Sequence, residues 1–397
     1  MKLVKLKFIL SGIVLIGLLS CNKSSKELNN NETLLSEKQI NAISNKLFFD
    51  INTLLKKYNT PGVSITIIDS SKVIYTKGFG SRSYKEKLPI NSKTLFQSAS
   101  IGKSITAYTI MKLAEDGLLN LDEDVNNILK TWKIPINNYT TKEKVTLRKL
   151  LSHSAGINVH GFEGYKIGES TPDINQVLNG EPPANNDPVK VVEMPGEKWN
   201  YSGGGYMIIQ KALEDKFNKN FESIVRNTVF QPLKMNSAFY ATILPENEYK
   251  NVAFAHDKTG KTEEDGKWHN FVEFGAGAGL WVSTDDLVKF SNDIMNTFNG
   301  KSEQILSQST LKEMVKNQNV SNEELRISAD YYGLGFYVIG EGAHVFHGGS
   351  NDPGYEHILY LLPEKGKGTI ILTNGFYGDK LYQEIIGRIV REFKWLE

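Results

Sequence analysis

Cysteine is nearly missing from this chain: 397 residues contain one, Cys21. A lone thiol closes no intrachain disulfide and builds no thiolate metal site, so the fold must rest on packing. An excess of either charge is also missing, with 46 lysines and arginines against 45 aspartates and glutamates. The balance stays near zero without Lys2, Lys5 and Lys7, and no basic cluster follows them. Nucleic acid is therefore not an expected partner. Long apolar runs are scarce: the run from Phe8 to Leu19 is too short to span a bilayer comfortably. With three lysines ahead of it, that run reads as an export signal. The chain shows no internal repeat, no low-complexity bulk and no His-Glu-x-x-His zinc pattern.

What is present suffices for a large core, since 40% of the residues are apolar. Leu18-Leu19-Ser20-Cys21 resembles the lipobox of bacterial lipoprotein signals. That resemblance implies a signal peptide over 1–20, lipidation of Cys21, a membrane anchor in the bacterial cell envelope, and a polar, Asn-rich tether over 21–35. Ser36-Glu37-Lys38-Gln39 has the capping-box pattern and opens one predicted helix, with Ile40, Ile43, Leu47, Ile51, Leu54 and Tyr58 on its apolar face. Val63 to Ile68 and Val73 to Lys77, joined by Asp69-Ser70-Ser71-Lys72, read as a hairpin. Short helices and long loops are predicted from about Leu119 to Asn270. Strand-like runs follow at Gly335–Ile339, Ala343–His347, Glu356–Leu362 and Thr369–Thr373, then a helix carrying Leu381, Ile385, Ile389 and Phe393. Strands at both ends imply a mostly antiparallel sheet of an α+β fold, flanked by N- and C-terminal helices. The expected α/β lobe covers about 36–95 and 275–397, and a mainly helical lobe about 96–274. A cleft would lie at their seam.

One stretch suggests chemistry. Ser100 opens a run in which Ile101, Ile105, Tyr108, Met111 and Ala114 recur at helical steps until Asp116-Gly117, so the helix is apolar nearly all round and buried. Ser100 sits at its amino end, where amides lack partners and the dipole is positive. Lys103 lies on the same face within reach of the Ser100 hydroxyl, and a neutral amine there would accept the serine proton. Ser-x-x-Lys alone is a weak pattern, for Ser309-Thr310-Leu311-Lys312 repeats it on an amphipathic helix. There Ser309 reads as a cap and Lys312 as solvated. Two further stretches stand out: Trp199-Asn200-Tyr201-Ser202-Gly203-Gly204-Gly205, with glycines that let backbone approach a ligand, and Val345-Phe346-His347-Gly348-Gly349-Ser350-Asn351.

In this order and spacing, the three stretches resemble the motifs of the serine β-lactamase and penicillin-binding protein superfamily. The pattern is most similar to its class C-like branch, with D-amino-acid peptidases and β-lactamase-related carboxylesterases. Leu150-Leu151-Ser152-His153-Ser154-Ala155-Gly156, Pro195-Gly196, Gln231-Pro232-Leu233-Lys234-Met235 and Gly279-Leu280-Trp281-Val282-Ser283-Thr284-Asp285-Asp286-Leu287 extend the match over most of the chain. The resemblance implies Ser100 as nucleophile, Lys103 and Tyr201 as proton carriers, and an oxyanion hole from the N–H groups of Ser100 and Ser350. It also implies a substrate edge at His347, Gly348, Gly349 and Gly203, with no cofactor and no metal.

Two departures refine the expectation. Gly203 replaces the asparagine of Tyr-x-Asn, which helps hold a substrate amide. His347 replaces the lysine of Lys-Thr-Gly, so a permanent cation becomes a group of ordinary pKa ~6.5. If its imidazolium orients a substrate carboxylate, activity should follow its titration. Small esters or D-aminoacyl peptides are thus the expected substrates. The alternatives are a β-lactamase or D-alanyl-D-alanine carboxypeptidase, an acyltransferase, and a non-hydrolytic penicillin-binding or peptidoglycan-sensing lipoprotein. Gly275-Ala276-Gly277-Ala278-Gly279 lacks dinucleotide-fingerprint spacing. His344 and His347 should face opposite sides of a strand, and His153 reads as a structural hydrogen-bonder.

Overall fold

A computed structural model describes residues 37–395, apart from 84–86, 167, 243, 262–268, 271–274, 322–324 and 326–328. The proposed leader, Cys21, the tether and Ser36 lie outside the described residues. The chain opens with α1 (Glu37–Phe48), α2 (Ile51–Lys57), β1 (Gly62–Asp69), β2 (Lys72–Gly80), β3 (Phe96–Gln97) and α3 (Ile101–Glu115). Then come α4 (Leu147–Leu151), β4 (Tyr165–Lys166), α5 (Ile174–Asn179), α6 (Gly203–Phe217), α7 (Phe221–Val225), β5 (Phe239–Tyr240), β6 (His269–Asn270), α8 (Gly275–Ala278) and β7 (Leu280–Val282). The chain continues through α9 (Thr284–Phe298), α10 (Gln308–Met314), β8 (Tyr331–Tyr332) and β9 (Tyr337–Ile339). It finishes with β10 (His344–Asn351), β11 (Tyr355–Leu362), β12 (Lys367–Thr373) and α11 (Gly378–Glu392).

The expected α+β architecture is what forms. A seven-stranded sheet runs β2-β1-β12-β11-β10-β9-β8, antiparallel throughout, so the first hairpin joins the last strand. Alternation along the strands feeds two cores. Val63, Ile65, Ile67, Ile358, Tyr360 and Ile371 face α1, α2 and α11 through Leu47, Leu54, Leu381 and Ile385. Ile68, Leu359, Leu361, Ile370 and Leu372 face α3 and α9 through Ile105, Tyr108, Leu287 and Phe290. Covered on both faces, β11 and β12 are buried along their whole length, whereas the edge strand β2 is not.

Four expectations need correction. The single N-terminal helix is two, because Asp50 leaves helical geometry and its carboxylate receives both arms of Arg388 on α11 at 2.5 and 3.0 Å. Arg388 also donates to Leu47 O at 2.9 Å, which fixes the end of α1. In α10 the cap is Ser307, whose Oγ accepts from Thr310 N; Ser309 lies inside the helix, and Lys312 is exposed. The 119–270 region is not all short helices: the glycines after Tyr201 open the fifteen-residue α6, capped by Ser202 Oγ on Gly205 N. Finally, β10 does not end at His347. It runs through both glycines to Asn351, because β11 pairs with it along that whole length.

Candidate active site

Ser100 stands at the amino end of α3, after β3 and the sharp corner Ser98-Ala99. Ala99 has φ +51°, a conformation that residues with a Cβ adopt at a cost. Were Ser100 a helix cap, its Oγ would accept from a first-turn amide. It makes no such bond. Instead Tyr201 OH donates to Ser100 Oγ at 2.8 Å, and Lys103 Nζ lies 3.1 Å from the same oxygen. Groups as far apart in sequence as 101 residues thus meet at one atom.

Lys103 is 3% exposed and pairs with no carboxylate among the described residues. Its other bond goes to Gly277 O on α8 at 3.0 Å. Burial without a counter-charge lowers its pKa from 10.5 to about 7, so a neutral amine is well populated at neutral pH. Burial pushes the Tyr201 phenol well above its ordinary value, which keeps it protonated. The arrangement holds a poised base and a neutral donor on one hydroxyl.

The facing wall is the distal half of β10. A Cβ at Gly349 would come within 2.3 Å of Ser98 O and 3.2 Å of Ala99 Cβ, so glycine is what lets the strand lie against the corner before Ser100. Asn351 Nδ2 donates to Gln97 Oε1 at 2.7 Å. His357 on β11 accepts from Thr373 N at its Nδ1, so its Nε2 carries the proton and donates to Gln97 O at 2.9 Å. Sheet and serine corner are therefore clamped together. Sequence reasoning missed His357, which looked like one more position in an apolar run.

His347 departs from the imidazolium expectation. It is 1% exposed; its Nδ1 donates to Gly348 O at 2.6 Å, and its Nε2 accepts from Tyr332 OH at 2.9 Å. Burial, with a smaller contribution from Lys103, lowers its pKa to about 3. The ring is neutral at neutral pH. Ser350 is exposed, and its Oγ donates to Glu356 Oε1 at 2.8 Å. His344 turns the other way, its Nδ1 2.7 Å from Tyr360 OH.

The remaining candidates lie around Tyr201. His153 Nδ1 accepts from Ser202 N at 3.1 Å and its ring lies tilted with its centroid 4.1 Å from that of Tyr201, a structural bond as the sequence suggested. Gly203 does not border open space: its N–H donates to His160 O at 3.0 Å, and a Cβ would sit 3.2 Å from that oxygen and from Phe162. The glycines admit the protein's own 158–162 segment. Gly275-Ala276-Gly277-Ala278-Gly279 also acquires a purpose, since Gly277 supplies the carbonyl that holds Lys103. Among the described residues no group of three or more His, Cys, Asp or Glu side chains could hold a metal.

The fold has counterparts among known proteins. The family model described as Beta-lactamase matches residues 50–391. The chain belongs to the Beta-lactamase family. Members of this family are generally serine hydrolases. Protein flp of Staphylococcus aureus (strain N315) is 25% identical over 347 residues, covering 86% of this chain but 65% of its own length. The chain thus spans under two thirds of that relative's length. Among solved structures, the octameric penicillin-binding protein homologue from Pyrococcus abyssi is 25% identical, with a TM-score of 0.69 over 87% of this chain and 76% of that one. EstCE1, described as a hydrolase with promiscuous acyltransferase activity, shares the fold at 19% identity, with a TM-score of 0.71 over 88% and 99% of the two chains.

Proposed function

We propose that this Beta-lactamase family member is a serine hydrolase of the class C-like branch that acts on small esters or D-aminoacyl peptides through a Ser100 acyl-enzyme. The observation that carries this reading is the meeting of Tyr201 OH and Lys103 Nζ at Ser100 Oγ. Neutral Lys103 takes the hydroxyl proton as Ser100 Oγ bonds to the substrate carbonyl carbon. The carbonyl electrons move onto the oxygen, which rests between the N–H groups of Ser100 and Ser350. Each such donor is commonly worth ~2.7–4 kcal/mol of barrier. Two features support that hole: β9 pairs with β10 only over His344–Phe346, and the strand beyond lies against Ala99. Collapse breaks the bond to the leaving group, which receives a proton through Tyr201 or Lys103. Water then repeats the sequence on the acyl-enzyme, releasing the acid and restoring Ser100.

A neutral His347 offers no cation to a substrate carboxylate, which favours esters over penicillins or peptides ending in D-alanine. Its place is to fix the β10 edge, with Gly348 and Gly349, along the substrate. The cell envelope, with Cys21 lipidated, is the proposed location, supported by the leader sequence. The test is intact-mass labelling with a fluorophosphonate mapped to a peptide, beside turnover of p-nitrophenyl acetate. Label on Ser100 and loss of turnover in Ser100→Ala are expected. Label on another side chain, or undiminished turnover in that variant, would overturn the reading.

A further inference from the structure

Resting on the acyl-enzyme reading, we infer that Phe162 sets acyl-group specificity, forming with Ala278 an apolar wall where a side chain at position 203 would otherwise stand. The 158–162 segment is built to hold it there. Val159 has φ +54°, an outlying conformation for a β-branched residue. That conformation lays the segment over the first turn of α6. Ser202 Oγ donates to Asn158 O at 2.7 Å, Gly204 N to Val159 O at 3.0 Å and Gly203 N to His160 O at 3.0 Å. Asn158 is tied from behind, its N–H donating to Lys190 O at 3.1 Å and its Oδ1 accepting from Lys190 N at 2.7 Å.

Phe162 then bridges two elements of the site. On one side is Gly203, two residues after Tyr201. On the other is Ala278, next to the carbonyl that binds Lys103; half-buried Phe162 packs against Ala278 and also against the rim of the core around α3 and α6. His160 flanks the opening, its ring 5.1 Å from that of Tyr201. An amide-bearing side chain at 203 would offer a donor and an acceptor to a peptide-like acyl group. Phe162 offers neither, and an acylamino group placed against it would lose its hydrogen bonds to water without replacement. The substrate class is therefore narrowed to esters of plain aliphatic or aromatic acids, with N-acylated aminoacyl esters disfavoured.

The test compares kcat/KM for p-nitrophenyl butyrate and the p-nitrophenyl ester of N-acetyl-D-alanine in the wild type, Phe162→Leu and Phe162→Asn, each checked for fluorophosphonate label on Ser100. The wild type should prefer butyrate by about tenfold or more, Phe162→Leu should keep that preference, and Phe162→Asn should reduce it to about threefold or less. An equal ratio in all three proteins, with Ser100 labelled in each, overturns the wall assignment alone. Absence of label on wild-type Ser100 overturns the acyl-enzyme reading beneath it.

Discussion

In the proposed mechanism, Lys103 is the group through which proton concentration reaches the chemistry. Its burial brings its pKa to about 7, so the neutral fraction that can take the Ser100 proton grows as pH rises through neutrality. The kcat/KM profile for p-nitrophenyl acetate should carry an acid limb with its midpoint near 7. His347→Gln should leave that limb in place, because the wild-type imidazole titrates only at about 3. A limb abolished by this substitution would return the titration to His347. Gly349 gives a second prediction. A methyl group there meets Ser98 O at 2.3 Å, so Gly349→Ala must push β10 away from the serine corner. A displacement on that scale should cost about 100-fold in kcat. Gly348→Ala meets nothing closer than His357 O at 3.7 Å and should melt close to the wild type. Equal melting temperatures and equal kcat for wild type and Gly349→Ala would show that the strand tolerates the side chain.

At the scale of elements, α6 matters most, for Tyr201 immediately precedes its cap and the specificity segment lies over its first turn. Ser202 performs two tasks, accepting from Gly205 N at 3.0 Å and donating to Asn158 O. Ser202→Ala should lower unfolding free energy by about 1 kcal/mol as a lost cap. It should also loosen the 158–162 segment, so the butyrate preference should fall with stability in denaturant titrations. An unchanged midpoint would mean that the cap is redundant. The element was only half legible in sequence. Tyr201 could be singled out from its glycine neighbourhood, but the glycines pointed to the close approach of a ligand. Nothing local shows that a segment forty residues upstream fills the space beside them. The break between α1 and α2 was hidden for the same reason: Arg388, the partner of Asp50, lies over three hundred residues away.

For the whole molecule, buried histidines contribute to the response to acid. His347, His357 and His256 have folded pKa values of about 3, 4 and 4, below the ordinary 6.5, because burial penalises the charged ring. Between those values and 6.5 the unfolded chain binds protons that the folded chain refuses, so stability falls as pH drops through this window. Lys103 has the same sign at higher pH: its depressed pKa makes stability rise from about pH 7 toward 10.5. Melting temperature at constant ionic strength should therefore climb from pH 4 to 6.5. His357→Gln, which removes one such group, should climb less steeply. Matching slopes would place that proton uptake elsewhere.

By itself the sequence determined the strand and helix periodicities, the closure of one sheet by both ends, and the three stretches that carry the hydroxyl, amine and phenol. These are local patterns of apolar spacing and residue type, which survive without knowledge of neighbours. Tertiary structure alone decided the protonation of His347 and Lys103, the use of glycine at 203 and 349, and the roles of Gly277, His357 and Phe162. Charge state depends on how much water and which partners a group retains, and the need for a missing side chain depends on what else occupies its volume. Both are set by segments far apart along the chain.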